Sequence, residues 1–215
     1  MSDNLAKVKE LRELTGAGIQ DCKTALSENN FNIEKSIEHL RKKGISKAAK
    51  KSSRDAAEGL AVIATNNSKA CILEINSETD FVAKNNEFIN FCSEVSKIAL
   101  DNNFNLETLL NSKINNTLIK DALINLIAKI GENIKIRRIV YLENSNGVVA
   151  NYIHNQQSEN MGKIGVLASI DCDGKNKEVL DFSWFVAFVI HYLDSKFAKQ
   201  DSFGCLGCGV VDGRL

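Results

Sequence analysis

The sequence predicts an α+β protein: a small helical module followed by an antiparallel sheet with helices packed on it. Three observations carry this. Apolar residues recur at helical spacing through the first 44 positions. From Gly59 the pattern changes to short runs rich in Val, Ile and Leu. Those runs then lie at hairpin-like distances, with amphipathic helical stretches between two groups of them.

In order along the chain, Leu5, Val8, Leu11 and Arg12 share helical spacing and lead to Thr15-Gly16-Ala17-Gly18, where glycine permits a tight turn. Ile19, Cys22, Ala25 and Leu26 give a second stripe. Asn32 is a natural cap for a third helix with Ile33, Ile37 and Leu40 on one face, and Gly44 is expected to stop it. Each helix is too short to hold alone in water, so the three must share a core, and residues 1–44 are expected to form a module. Residues 45–58 read as a basic linker, since 41–54 carries seven Lys and Arg and no acid. Such a run is ordinarily a solvated face. The functional alternative is contact with an acidic partner or RNA, which salt would weaken steeply.

Residues 59–65 and 70–76 flank Asn66-Asn67-Ser68 as a hairpin. Phe88, Phe91, Cys92, Val95, Ile98 and Ala99 form a helical stripe, and a further helical region covers 106–130, broken near Asn115-Asn116. Strands resume at 134–142, 147–154 and 164–170, with Ser145-Asn146-Gly147 as a turn. The core is therefore expected over 59–182, with a tail at 183–215. Within that tail, 184–193 is almost continuously apolar and would need burial as a helix, while residues beyond Lys199 are expected to be mobile and dispensable.

Composition narrows the function classes. At 44% hydrophobic and 25% charged, the 215 residues have the balance of a soluble globular protein. Lys+Arg and Asp+Glu both number 27, so no global positive field draws nucleic acid. The apolar run from Trp184 is too short to span a bilayer. Met1-Ser-Asp-Asn lacks the basic and apolar regions of a signal peptide. Six scattered cysteines show no disulfide framework, so a reduced cytoplasmic protein is expected. The absence of proline and the 24 asparagines read as compositional drift.

Catalytic signatures are missing as well. The chain has no Lys-Ser/Thr-ending phosphate loop, no dinucleotide fingerprint and no Gly-x-Ser-x-Gly elbow. His39, His154 and His191 are far apart and form no ligand pair. Cys205-x-x-Cys208 is half of a zinc ligand set, and its glycine-rich surroundings lack the strand–helix setting of a redox motif. No enzyme, cofactor or metal is expected. One segment stands out: Glu78-Thr79-Asp80-Phe81-Val82-Ala83-Lys84-Asn85, between an apolar strand and an amphipathic helix. Its plain structural account makes Thr79 and Asp80 helix-start residues and Phe81 a core staple.

Four motifs in one order resemble the bacterial elongation factor Ts family. They are Val8-Lys9-Glu10-Leu11-Arg12 with Thr15-Gly16-Ala17-Gly18 and Asp21-Cys22-Lys23, then Thr79-Asp80-Phe81-Val82-Ala83-Lys84-Asn85, then Lys129-Ile130-Gly131-Glu132-Asn133-Ile134 with Arg137-Arg138, and Tyr152-Ile153-His154 with Gly162-Lys163-Ile164-Gly165. The resemblance implies a ubiquitin-associated-like opening module and a guanine-nucleotide exchange factor for elongation factor Tu, met in its GDP-bound and nucleotide-free states. It places partner contacts at Arg12, Ile19 and Gln20 in the module and at Thr79, Asp80, Phe81 and Val82 in the core. Phe81 would be buried in the GTPase, Asp80 would add a charge-assisted hydrogen bond, and the helix beside the phosphate and Mg²⁺ site would be displaced. No cofactor, membrane or direct nucleic-acid contact is implied. The likeness stops near Leu180.

Overall fold

The computed structural model describes residues 2–66, 68–171 and 211–214. It opens with α1 (Ser2–Thr15), α2 (Ile19–Glu28) and α3 (Ile33–Lys51). Val8, Leu11, Cys22, Ala25, Leu26 and Leu40 form their shared core. Asn32 caps α3 as its position predicts, its Oδ1 accepting from Lys35 N at 2.8 Å. Leu5, by contrast, is exposed and takes no part in the buried stripe of α1.

Helix α3 does not end at Gly44. It runs on to Lys51, so half of the stretch read as a linker is helical. The reason is tertiary. A later helix, α6 (Ile119–Ile130), passes close to Gly44, and a Cβ there would lie 3.3 Å from Ile124 Cγ2. The glycine makes room for a neighbouring helix and does not terminate its own. Lys51 Nζ donates to the carbonyl of Gly131, and Asn133 Nδ2 donates to Arg54 O at 2.7 Å. Met1–Ala56 and Leu110–Lys135 accordingly form one compact unit, and Ala57–Leu109 with Ile136–Leu215 form the other.

This packing yields a stability prediction. Gly44→Ala should be nearly neutral, because the roughly 1 kcal/mol gain in helix propensity offsets a small retreat of Ile124. Gly44→Leu over-packs the contact and should cost about 1–3 kcal/mol. Thermal unfolding distinguishes them, and equal melting of the two variants would refute the close-packing reason.

The break foreseen near Asn115-Asn116 falls between α5 (Leu106–Asn111) and α6, as a miniature hairpin of β3 (Lys113–Ile114) and β4 (Thr117–Leu118). Both of those asparagines have positive φ, as a tight hairpin turn with the right twist requires.

The second unit is built on one sheet. β1 (Glu58–Asn66) and β2 (Lys69–Ser77) pair antiparallel in unbroken register from Glu58↔Ser77 to Asn66↔Lys69. With β5 (Ile134–Glu143), β6 (Gly147–Ser158) and β7 (Met161–Asp171), the strand order is β5-β2-β1-β7-β6. On one face lies α4 (Asn86–Asn102), with Phe88, Phe91, Cys92, Val95 and Ala99 buried and Cys71 Sγ 3.6 Å from Ser96 O. On the other, Ala61, Ile63, Ala70 and Ile72 pack with Val149 and Leu167. Covered on both faces, β1 is buried without a break over 59–64 and β2 over 70–77, where a half-exposed strand would alternate.

The turn foreseen before Gly147 is anchored by Asn144, whose Nδ2 donates to Ser169 Oγ and Asp171 Oδ1, both at 2.9 Å. β6 and β7 run past the expected ends, meeting through a register shift between Gln156 and Ser158. In the tail, Val211–Arg214 form β8 and pair antiparallel with β7. Those four residues pair into the sheet, against the expectation of a mobile end. The apolar run at 184–193, His191, Cys205 and Cys208 lie outside the described residues. Among the described residues, no helix is long and apolar enough to cross a membrane.

Candidate functional site

β2 ends in the fully buried Ser77, whose Oγ donates to Thr79 O at 2.9 Å. The chain then turns outward. Thr79 is half-buried and Asp80 exposed. Phe81 stands 77% exposed, the most exposed large hydrophobic side chain among the described residues. Directly after it, Val82 is only 3% exposed and begins a short 3-10 turn, Val82–Lys84. Phe81 is therefore no core staple, and Val82 supports the turn from beneath while Asp80 and Phe81 face solvent.

Nor do Thr79 and Asp80 start the following helix. Asn85 does, its Oδ1 accepting from Glu87 N at 2.9 Å and from Phe88 N at 3.3 Å. The spacing of apolar residues from Phe88 onward marks the helix but not its cap, because asparagine, threonine and aspartate are all competent there.

In the helical unit, Arg12 lies exposed in the last turn of α1, and Ile19 and Gln20 are exposed at the start of α2. Leu14 is exposed beside them in sequence, an apolar surface residue that the helical stripe gave no reason to single out. Gly16, with φ of +66°, donates its N–H to Arg12 O at 2.8 Å and turns the chain between the two helices.

The basic run 41–54 is largely committed to partners inside its own unit. Lys43 and Lys47 each hold one oxygen of Asp21 at 3.0 Å. Those hydrogen bonds, Lys43 first, keep the Asp21 carboxyl below the usual carboxylate range. Arg41 and Lys42 share Glu38 at 2.9 and 3.7 Å. With Lys51 on Gly131 O, at least five of the seven cations are engaged within the unit. The pattern fits an ordered, solvated helix face.

Among the described residues, both histidines face a polar neighbour. His39 lies 3.3 Å from Glu28, and His154 Nδ1 lies 3.3 Å from Tyr152 Oη. Burial pushes the Cys71 thiol up to about 12 and raises Cys92 as well, the opposite of nucleophile activation. Among the described residues, no group of three His, Cys, Asp or Glu side chains forms a metal cradle. Among the described residues of the sheet unit, Glu74 is a buried carboxylate. Glu74 accepts from Arg137 Nη1 at 2.7 Å, Arg138 Nε at 2.5 Å and Asn76 Nδ2 at 3.2 Å.

Two comparisons with known proteins agree on one family. The family model described as Elongation factor TS matches residues 78–201, past the point near Leu180 where the motifs cease to be recognisable. An elongation factor Ts of Methylorubrum populi is 50% identical over 171 residues, covering 79% of this chain and 56% of the relative. Another, from Methylobacterium sp. (strain 4-46), is 49% identical over the same length and shares. A third, from Brucella anthropi, is 45% identical over 174 residues, 81% of this chain and 57% of the relative. The chain thus spans somewhat more than half the length of the curated relatives it matches.

Proposed function

The chain belongs to the elongation factor Ts family, and from that premise we propose that it is a guanine-nucleotide exchange factor promoting GDP release from elongation factor Tu in the cytoplasm. The observation that carries this is Phe81: a large apolar side chain, 77% exposed, beside an exposed carboxylate on a hydrogen-bonded turn. A monomer gains nothing from exposing such a side chain there, whereas a partner that buries it gains about 1.5–3 kcal/mol.

Exchange follows from linkage. A factor that binds the nucleotide-free GTPase more tightly than the GDP-bound form must weaken GDP binding by the same coupling. Asp80 and Phe81 are the groups that enter the GTPase, with Thr79 at their margin and Val82 holding the turn. Arg12, Ile19 and Gln20 on the helical unit add a second contact. No covalent bond forms or breaks, so the factor needs no cofactor and is not an enzyme in the chemical sense. The direct test is release of a fluorescent GDP analogue from elongation factor Tu. Substoichiometric amounts of this chain are expected to accelerate it, and an unchanged release rate would overturn the proposal.

A further inference from the structure

The segment that displays Phe81 is closed on itself before any partner arrives. Upstream, the buried Ser77 hydroxyl fixes Thr79 O. Downstream, Lys84 N donates to Phe81 O at 3.1 Å and Asn85 N donates to Val82 O at 2.9 Å. Val82 and Ala83 are both buried under the turn.

Asn85 is the joint. Its N–H completes the 3-10 turn, while its Oδ1 takes two of the orphan N–H groups of α4. Its backbone, at φ −78° and ψ 125°, is extended between two helical segments, and its side chain is exposed. Replacing that side chain therefore opens no cavity. Alanine can adopt the same backbone but offers no acceptor, so the junction would loosen with the core intact.

We propose that Asn85 is a positioning residue for Phe81, holding the exposed ring in its partner-ready conformation so that little ordering remains for the moment of binding. This rests on the exchange-factor reading above. A side chain on a loose loop must be ordered as it binds, which subtracts from affinity, and a pre-formed turn avoids that loss.

The test joins two measurements. In the free chain, the Lys84 and Asn85 amides should be protected from hydrogen exchange in the wild type and in Asn85→Asp, which keeps the acceptor, and should lose protection in Asn85→Ala. In GDP release, Asn85→Ala should slow the reaction about fivefold, the size of effect expected for one lost cap, and Asn85→Asp should restore it. The same change made in a Phe81→Ala background should have almost no further effect, because the two residues act as one unit. Equal slowing in both backgrounds marks a merely structural role and overturns the proposal, as do unprotected amides in the wild-type chain. If the protection pattern holds but the wild type fails to accelerate release, the exchange-factor reading falls. Asn85's part in exchange falls with it, and the pre-formed turn still stands.

Discussion

Phe81→Ala should slow GDP release from elongation factor Tu by roughly 10- to 150-fold while leaving the melting temperature of the chain almost unchanged. The range is the free energy of burying a phenylalanine in a partner, about 1.5–3 kcal/mol, at 1.4 kcal/mol per tenfold. The stability half of the expectation follows from exposure. A side chain already 77% in solvent leaves no cavity when removed, and surface substitutions of this kind usually change stability by about 0.5 kcal/mol or less. Phe88 in α4 is the internal contrast, because it is fully buried and its replacement by alanine should cost about 3–5 kcal/mol. Side-by-side melting and exchange measurements on the two variants decide the matter. If Phe81→Ala melts like Phe88→Ala and loses exchange only in proportion to unfolded protein, burial of Phe81 in the GTPase is not what drives exchange.

These two phenylalanines also show how far the sequence could be read. Periodicity placed Phe88 on a buried face, because its partners Phe91, Cys92, Val95 and Ala99 lie within the same helix. Periodicity is silent for Phe81, since a residue at a strand–helix junction is equally suited to staple a core or to face outward. Only the likeness of its surrounding motif pointed outward. Gly44 failed for the complementary reason. A glycine after a helical stripe is an ordinary stop signal, and the atom that gives it another purpose belongs to Ile124, on a helix that is remote in sequence. Local chemistry identified the Asn32 cap, the hairpin at 66–68 and the Asn115-Asn116 break, because each is decided within a few residues. What depended on distant partners was hidden, and the most consequential case is Glu74.

Glu74 sits on β2 with its side chain 1% exposed, bonded to arginines 63 and 64 positions away on β5. The burial is asymmetric: Arg137 and Arg138 are 64% and 45% exposed at their side chains, so their unused N–H groups remain in water. Removing the arginines and removing the acid should therefore differ in cost. Arg137→Ala with Arg138→Ala leaves a buried carboxylate with Asn76 as its remaining side-chain donor among those named above, and should cost about 3–5 kcal/mol, the usual penalty for an unpaired buried charge. Glu74→Gln frees two solvated cations and keeps a side chain able to bond, so about 1–2 kcal/mol is expected. Adding Glu74→Leu to the double variant removes the stranded charge and should recover much of the loss, as replacing buried ion pairs by apolar groups often does. Urea unfolding of the three variants reads these differences as midpoint shifts at constant slope. Equal losses for Glu74→Gln and the double arginine variant, or no recovery on adding Glu74→Leu, would show that β5 is held to β2 by its backbone ladder and not by this carboxylate.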